Sequence, residues 1–436
     1  MDACQHLVEI KTCRVCDSEA LDTILNFGYM PLANGYAKDL SGASICAPLE
    51  VVLCRACGCV QLRHTVDPEI LFSNYLYTSS TSGSLSEYFR HYALDTVEKL
   101  GLSDFPTDVG MVRTPPTTQT SKTGFPHPRG DGHKRFIVGI GGNDGVLEKA
   151  YQALGFDVVN VEPSRNIAEL SKANGVPTLN DWFNNEAVAE ILDTHGRADL
   201  ITCNHCFAHM PDINGVMRGV KALLNPGGWF VFEESYWRDM VAGNNFDQIY
   251  HEHVFYWTVR ALEKLFRLHD LPIDDVEFNK SQGGSIRVFV RNTPGESRGR
   301  VDTAIAGEMM MAGLFDLATY QSWNLKIDQW RTKCNDFIYP LESICCYGVP
   351  AKFAMISEKL GFRPARIAYA VEDSPIKVGR FTPGARIPIV NRQHFIEHPT
   401  EHCIITAANY ADLIVANNPQ YKGRWIALTS PEPKFL

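Results

Sequence analysis

Residues 136–145 read FIVGIGGNDG and give the clearest indication of how the chain folds. The apolar run at 136–140 is typical of a buried strand, and the glycines that follow it predict a tight turn. A helical pattern then begins near Val146 and continues to about Leu154. Strand, glycine-rich turn and helix in this order begin a nucleotide-binding α/β domain built on a parallel sheet.

Glu162 directly follows the next predicted strand, at residues 157–161. It lies about 20 residues after the glycines, where a carboxylate can accept hydrogen bonds from both ribose hydroxyls of a nucleoside. This spacing alone fits either NAD or S-adenosylmethionine.

Two later segments favour S-adenosylmethionine. Residues 199–204 are predicted to form a strand that runs into a polar turn, and residues 224–233 contain a helix end, a Pro-Gly-Gly turn and another strand. This run resembles class I methyltransferases, in which the cofactor lies over the carboxyl ends of the parallel strands.

Two C-x-x-C pairs near the N-terminus indicate a metal site. Cys13 and Cys16 form one pair, and Cys54 and Cys57 form the other. Each pair can hold half of a tetrahedral Zn²⁺ site, and four thiolates leave no open coordination position. The sequence therefore predicts a structural zinc ion. Cys59 is an alternative ligand to Cys57, with poorer geometry.

The composition excludes several classes of protein. The chain has 436 residues, a net charge of -9 and 45% hydrophobic residues, and it is long enough for about three domains. The acidic balance argues against a nucleic-acid partner, and no apolar run could span a membrane. Cysteines cluster before residue 60, which favours a metal site in a reducing compartment. Because the N-terminus shows no signal-peptide pattern, a cytoplasmic location is expected.

A proline-rich segment precedes the glycine-rich turn. Residues 106–134 combine prolines with Thr, Ser and Gly, which predicts an exposed, disordered insertion. The hydroxyl-rich run at 75–84 is predicted to be a loop before a helix that begins near Leu85.

The last third of the chain contains a second α/β pattern. After a helical stretch at 301–340, three apolar segments each predict a strand that ends in a turn: 343–348, 368–373 and 403–408. This predicts a second, smaller Rossmann-like unit. A docking domain without a ligand is the alternative.

Residues 250–253 read YHEH and have apolar and aromatic neighbours. Such surroundings can desolvate a carboxylate and shift the pKa of a histidine. In an extended segment, Tyr250 and Glu252 would share one face, and His251 and His253 the other. Buried structural polar groups are the alternative to a catalytic role.

These features together resemble the NDP-sugar C-methyltransferase family, whose members methylate a carbon of nucleotide-linked keto-deoxysugars. The resemblance extends almost from end to end and includes the paired C-x-x-C motifs. It also rests on YLYTSSTS at 75–82, GGNDG at 141–145, VEPS at 161–164, AHMPD at 208–212, YHEH at 250–253, GGSIRV at 283–288 and YGVPAK at 347–352.

The resemblance implies an α/β fold with three parts. A zinc-binding domain would occupy residues 1–70 and a class I S-adenosylmethionine-dependent methyltransferase domain residues 71–295. A helical linker and a Rossmann-like domain that helps to bind the nucleotide-sugar would occupy residues 296–436. The expected protein is a monomeric enzyme with two cofactors, S-adenosylmethionine and zinc.

The implied chemistry requires a carbon nucleophile, because the cofactor's methyl group is an electrophile. Removing a proton next to a ketone yields an enolate, so the site needs a base and a donor to the oxyanion. The family's catalytic cluster maps onto His209, Tyr250, Glu252 and His253. We assign His253 as the base, since a neutral imidazole suits carbon deprotonation. Glu252 would orient that histidine or hold a sugar hydroxyl.

Further residues are assigned to the two ligands. The cofactor residues are Gly141, Asn143 and Gly145 at the amino-acid end, Glu162 at the ribose, Asn204, and Asp181 beside the adenine. The substrate residues are Tyr75, Tyr77, Ser79, Tyr347 and Lys352. Trp182 either covers the adenine or belongs to the core.

Two positions depart from the family pattern. The family commonly has an acid before the glycine loop and a serine within it, whereas this chain has Gly139 and Gly142. The missing acid would weaken the contact with the methionine ammonium group or transfer that role to another residue.

Three alternative functions are compatible with parts of this sequence. A zinc-ribbon RNA or DNA methyltransferase would need a basic surface, which this acidic chain lacks. An O- or N-methyltransferase acting on another small molecule would need a base but no enolate. A non-enzymatic scaffold would not need the proton-transfer residues.

Overall fold

The computed structural model describes residues 7–41, 44–81, 83–102, 134–310, 313–428 and 432–436. All of the predicted insertion except Lys134 lies outside these ranges. Within them, no helix is both long and apolar enough to cross a membrane.

The N-terminal part is built from short strands, followed by one helical turn. Its elements are β1 (Leu7–Glu9), β2 (Leu21–Pro31), β3 (Cys46–Cys54), β4 (Val60–Leu62), β5 (His64–Val66) and α1 (Pro68–Phe72). β2, β3 and β4 form an antiparallel sheet, and β1 pairs with β5.

The central part alternates strands and helices. Its elements are α2 (Gly83–Leu100), β6 (Phe136–Ile140), α3 (Val146–Ala153), β7 (Asp157–Val161), α4 (Arg165–Ala173), β8 (Thr178–Leu179), α5 (Asn185–Thr194), β9 (Ala198–Asn204), α6 (Ile213–Leu223), β10 (Leu224–Ser235), α7 (Trp237–Gly243), β11 (Phe255–Tyr256), α8 (Val259–Leu268), β12 (Ile273–Asn279) and β13 (Ser285–Arg291).

Seven of these strands form one sheet in the order β12-β13-β10-β9-β6-β7-β8. β8, β7, β6, β9 and β10 run parallel, and β13 is antiparallel to both of its neighbours. The strand order reverses next to β6, so the carboxyl ends of β6 and β9 lie on either side of a crevice. This arrangement confirms the predicted class I methyltransferase fold.

The Pro-Gly-Gly segment lies within β10 instead of before it. The register with β9 shifts between Leu224 and Trp229, and Gly227 has a φ of 79°. The segment is therefore an irregularity inside one long strand, which only glycine accommodates at low cost.

β11 belongs to a different sheet from its neighbours in the chain. It pairs with β4 and becomes the edge strand of the N-terminal sheet. The segment that contains YHEH is thereby fixed against the N-terminal part, immediately before β11.

The C-terminal part begins with two helices, where the sequence predicted one helical stretch, and continues as α/β structure. Its elements are α9 (Arg300–Met310), α10 (Leu317–Ile338), β14 (Ile344–Tyr347), α11 (Phe353–Lys359), β15 (Ile367–Val371), β16 (Ile389–Val390), α12 (Arg392–Glu397), β17 (His402–Ile405), α13 (Ala411–Asn417), β18 (Arg424–Ala427) and β19 (Lys434–Phe435). The strand order is β16-β15-β14-β17-β18-β19, and only β19 is antiparallel.

Glu308 on α9 ties the C-terminal part to the central one. Its carboxylate is fully buried and accepts hydrogen bonds from the backbone N–H groups of Val259 and Arg260, at 2.6 and 3.1 Å. Tyr236 Oη donates to the same carboxylate at 3.0 Å. The acid satisfies donors in the first turn of α8 that have no partner within that helix.

Candidate active site

One large cavity of about 1110 Å³ extends along the carboxyl edges of both α/β sheets. Its wall contains most of the residues that the sequence analysis assigned to catalysis, cofactor binding or substrate binding: Tyr75, Tyr77, Ser79, Gly141, Asn143, Glu162, Asn204, His209, Tyr250, His253, Tyr347 and Lys352. Three assigned residues, Gly145, Asp181 and Glu252, are not part of this wall.

The glycine loop forms a rigid floor at one end of the cavity. Gly141 has a φ of 61°, and its N–H donates to Val161 O at 2.8 Å. The N–H of Asn143 donates to Glu162 Oε2 at 3.1 Å. Ser79 N–H donates to Asn143 Oδ1 at 2.9 Å, so the hydroxyl-rich loop packs directly on the glycine loop.

Unpaired polar atoms in the wall indicate that a ligand belongs in this cavity. Both amide atoms of Asn204 and Nε2 of His209 are buried without a hydrogen-bond partner among the described residues. Such atoms carry a desolvation penalty that a bound ligand removes. The residues present therefore fit S-adenosylmethionine, with the glycine loop, Glu162 and Asn204 as the residues that would hold it.

A test of the loop is to add one methyl group. At Gly141 a Cβ atom would overlap the Cys206 sulfur, and its φ is positive. We expect Gly141→Ala to weaken S-adenosylmethionine binding roughly a hundredfold, because the loop and Cys206 must shift apart at the floor of the cavity. Gly155→Ala is the matched control, since Gly155 also has a positive φ but open space around it. It should lose only about 1 kcal/mol of stability, and isothermal titration of both variants checks the difference. Equal cofactor affinity in the two would contradict this role of the loop.

The YHEH segment forms a turn, not an extended strand. His253 N–H donates to Tyr250 O at 3.0 Å, and the Tyr250 and His253 rings pack with centroids 4.0 Å apart. These two side chains therefore line the cavity together, whereas an extended segment would have placed them on opposite faces.

His253 is held as a neutral imidazole. Its Nδ1–H donates to Gln248 O at 2.9 Å, which leaves Nε2 unprotonated. Burial lowers the pKa of His253 to about 4. The ring stacks on His209 at 5.1 Å, and burial together with His253 holds the pKa of His209 well below its usual value. Both imidazoles are therefore uncharged near pH 7.

The other two residues of the segment bond to the N-terminal part. His251 Nε2–H donates to Ala47 O at 3.0 Å. Glu252 accepts from Asn34 Nδ2 at 2.8 Å and from Tyr75 Oη at 3.2 Å. The backbone carbonyl of Gln248, rather than Glu252, orients His253, and Glu252 instead holds the cavity-lining Tyr75.

Glu252 makes stability depend on pH. Burial raises its pKa to about 7, although Asn34 and Tyr75 oppose the shift. Between pH 4.5 and 7 the unfolded chain loses this proton while the folded chain keeps it, so stability falls as pH rises.

We expect the free energy of unfolding of Glu252→Gln to rise by up to about 3 kcal/mol relative to that of the parent between pH 5 and pH 8. Urea unfolding at pH 5 and at pH 8 measures the free energy of unfolding of both proteins. Glu169→Gln, at an exposed position on α4, should follow the parent. A difference between Glu252→Gln and the parent that stays constant with pH would contradict the prediction.

The opposite end of the cavity is lined by the C-terminal sheet. Tyr347 Oη donates to Asp373 at 3.1 Å, and Lys352 Nζ lies 3.6 Å from Asp247. Lys377, which is 6% exposed, donates to Val349 O at 3.0 Å. Arg392 also lines this end.

Several residues of the site were not identified from the sequence. Asn34 bonds a residue 218 positions away, and Phe72 stacks on His209 at 5.5 Å. The others are Gln248, Asp373, Lys377 and Arg392. None lies in a recognisable motif, and an Asn beside the glycine of LANG at 32–35 was the sole local signal for Asn34. Trp182 lies in the cavity wall, where its indole N–H donates to Glu69 at 3.0 Å, so it is not a core residue.

The four assigned thiols meet in one cluster in the N-terminal part. The sulfurs of Cys13, Cys16, Cys54 and Cys57 all lie within 4.8 Å of one another. The Cys13–Cys57 and Cys16–Cys54 sulfurs are each 3.7 Å apart. Zn–S bonds of about 2.3 Å in a tetrahedron separate the sulfurs by about 3.8 Å. The thiols therefore fit a structural zinc ion, with Cys57 and not Cys59 in the cluster.

Comparison with known proteins agrees with this geometry. The chain is 31% identical to C-methyltransferase NovU from Streptomyces niveus over 98% of this chain and 97% of that protein. Family models match a zinc-binding domain at residues 13–72, a methyltransferase domain at 130–276 and a C-methyltransferase C-terminal domain at 280–429. The chain belongs to the C-methyltransferase family.

This C-methyltransferase also has partial relatives. A ubiquinone biosynthesis O-methyltransferase from Bordetella avium is 31% identical over 22% of this chain and 42% of that protein. The solved structure of an S-adenosylmethionine-dependent methyltransferase from Clostridium acetobutylicum is also similar. The match covers 48% of this chain and 92% of the Clostridium chain, with 14% identity and a TM-score of 0.34. The C-methyltransferase is an S-adenosylmethionine-dependent enzyme with a structural zinc site.

Proposed function

We propose that this C-methyltransferase adds a methyl group to a carbon next to a ketone in a nucleotide-linked keto-deoxysugar, with dTDP as the expected nucleotide. The single observation that supports the proposal is the continuity of the cavity. The same cavity is lined by the glycine loop, by Tyr250 and His253, and by the C-terminal sheet. Such a cavity can hold a cofactor and an extended second ligand at once.

The C-terminal half contains three cations, Lys352, Lys377 and Arg392, beside the acids Glu372 and Asp373. Lys352 lies 3.6 Å from Asp247 and Lys377 lies 3.5 Å from Glu372. Cationic side chains are the usual partners of phosphate oxygens, so a diphosphate would take over these cations from the acids. The nucleotide would bind there, which directs the sugar towards Tyr250 and His253.

The proton chemistry follows from the two neutral histidines. Bound S-adenosylmethionine supplies an electrophilic methyl group, so the chain's own residues must generate the carbon nucleophile. His253 Nε2 removes the proton next to the ketone. His209 Nε2, which has no partner among the described residues, and Tyr250 Oη donate hydrogen bonds to the developing enolate oxygen.

The proposal is tested with a dTDP-keto-deoxysugar in D₂O. Without S-adenosylmethionine, the enzyme should exchange one carbon-bound proton next to the ketone for deuterium, as read by mass spectrometry. With the cofactor, one new methyl group should appear on that carbon. Methylation of an oxygen or nitrogen without exchange would instead support an O- or N-methyltransferase, and no product across a panel of such sugars would reject the substrate class.

A further inference from the structure

Gly139, in β6, and Gly142, in the glycine loop, both lie against the carboxylate of Glu148. A Cβ atom at Gly139 would overlap the carboxylate of Glu148, and one at Gly142 would lie 2.5 Å from both Glu148 Oε1 and Asn160 Oδ1. Glu148 lies in the first turn of α3, which follows the loop. Its carboxylate therefore occupies the space where a side chain of residue 139 or 142 would lie.

This carboxylate is buried and incompletely paired. Glu148 is 1% exposed, and its Oε2 has no hydrogen-bond partner among the described residues. Burial raises the pKa of Glu148 to about 8, and Asp144 and Glu162 add to the shift. An apolar side chain would fill the same space without this cost, so filling space does not explain an acid here.

Three carboxyl groups lie around this one loop, and one of them, Glu162, also lines the cavity. Glu162 accepts from the backbone N–H of Asn143 and of Ser164, and Asp144 accepts from that of Ser80. Glu148 has no comparable set of donors. Because its pKa is about 8, Glu148 is mainly protonated in the free protein at pH 7, and a bound cation would favour its ionised form whereas a pyrophosphate would oppose it.

We propose that Glu148 is the positioning residue for the cationic methionine end of S-adenosylmethionine, replacing an acid at the end of β6. It acts from behind the loop backbone and does not line the cavity. The inference rests on the proposed placement of the methionine end over the glycine loop. It does not depend on the sugar substrate, so failure of either proposal can be recognised separately.

The experiment compares two ligands by isothermal titration to the zinc-loaded protein. S-adenosylmethionine carries the methionine ammonium group, whereas 5′-methylthioadenosine has the same nucleoside and lacks the amino-acid part. Glu148→Gln keeps the shape but cannot ionise when the cationic ligand binds. We expect roughly tenfold weaker S-adenosylmethionine binding and a change of less than about twofold for 5′-methylthioadenosine. Glu169→Gln, the exposed control on α4, should bind both ligands like the parent.

A second variant moves the acid instead of removing it. Glu148→Leu combined with Gly139→Glu places a carboxylate in the same space from β6, and we expect it to regain S-adenosylmethionine affinity to within about threefold of the parent. Glu148→Leu alone should remain weak.

Two results would overturn the proposal. One is unchanged S-adenosylmethionine affinity in Glu148→Gln, and the other is an equal loss for both ligands, which would mean that the acid only maintains the loop. The Glu148→Gln comparison decides the matter even if the double variant does not fold.

Discussion

Replacing His253 by alanine is expected to lower kcat by a factor of roughly 10²–10⁴, the usual contribution of a positioned general base. Deuterium exchange into the sugar should fall with methylation, because both need the same proton removal. S-adenosylmethionine affinity should change little, since the residues assigned to the cofactor are the glycine loop, Glu162 and Asn204, not His253. Quenched-flow mass spectrometry on one substrate measures both rates.

Two further observations separate base catalysis from loss of packing. Added imidazole should restore part of the exchange in His253→Ala, as it fits the space that the variant leaves. In Glu252→Gln, which lacks the group that titrates near pH 7, the rate should stay constant as pH falls from 8 to about 5, because burial lowers the pKa of His253 to about 4. His269→Ala, at a half-buried histidine that bonds Asn214, is the control and should keep full activity. Full exchange in His253→Ala would remove His253 from this role.

Loss of zinc is expected to have the largest effect on stability. Structural zinc contributes about 10–16 kcal/mol of apparent binding free energy in small zinc domains. Cys16→Ser should therefore lose the metal and unfold the N-terminal sheet. The bonds from Asn34 to Glu252 and from His251 to Ala47 would break with it, so activity should disappear as well.

The control for the zinc prediction is Cys46→Ser. Cys46 lies at the start of β3 and outside the cluster of four thiols. It should keep one zinc per chain, by metal analysis, and melt close to the parent temperature. One zinc per chain and an unchanged melting temperature in Cys16→Ser would contradict the assignment of the ligands.

The sequence was a good guide to elements that depend on local patterns. The apolar run of β6, the glycine turn and α3 were predicted close to their observed bounds, as were β7 and β9. Each has a periodicity that a few neighbouring residues determine. The C-x-x-C pairs were equally informative, because a knuckle is a local structure.

Contacts between distant segments were not predictable in this way. The pairing of β11 with the N-terminal sheet and the bond from Asn34 to Glu252 join residues about 200 positions apart in the chain. Such contacts determine which side chain of YHEH points into the cavity and which bonds elsewhere. The prediction of alternating faces failed because a turn, not a strand, satisfies the backbone there.

By itself, the sequence determined the class of the central domain and the zinc ligands, and it predicted a set of proton-transfer residues. The tertiary structure alone decided which partner each of these residues has. Gly139 and Gly142 are the clearest case. The sequence shows only that both positions lack a side chain, whereas the folded protein shows that the Glu148 carboxylate lies where those side chains would be. The reason is physical, because local pattern specifies elements and packing between them specifies which groups share a volume.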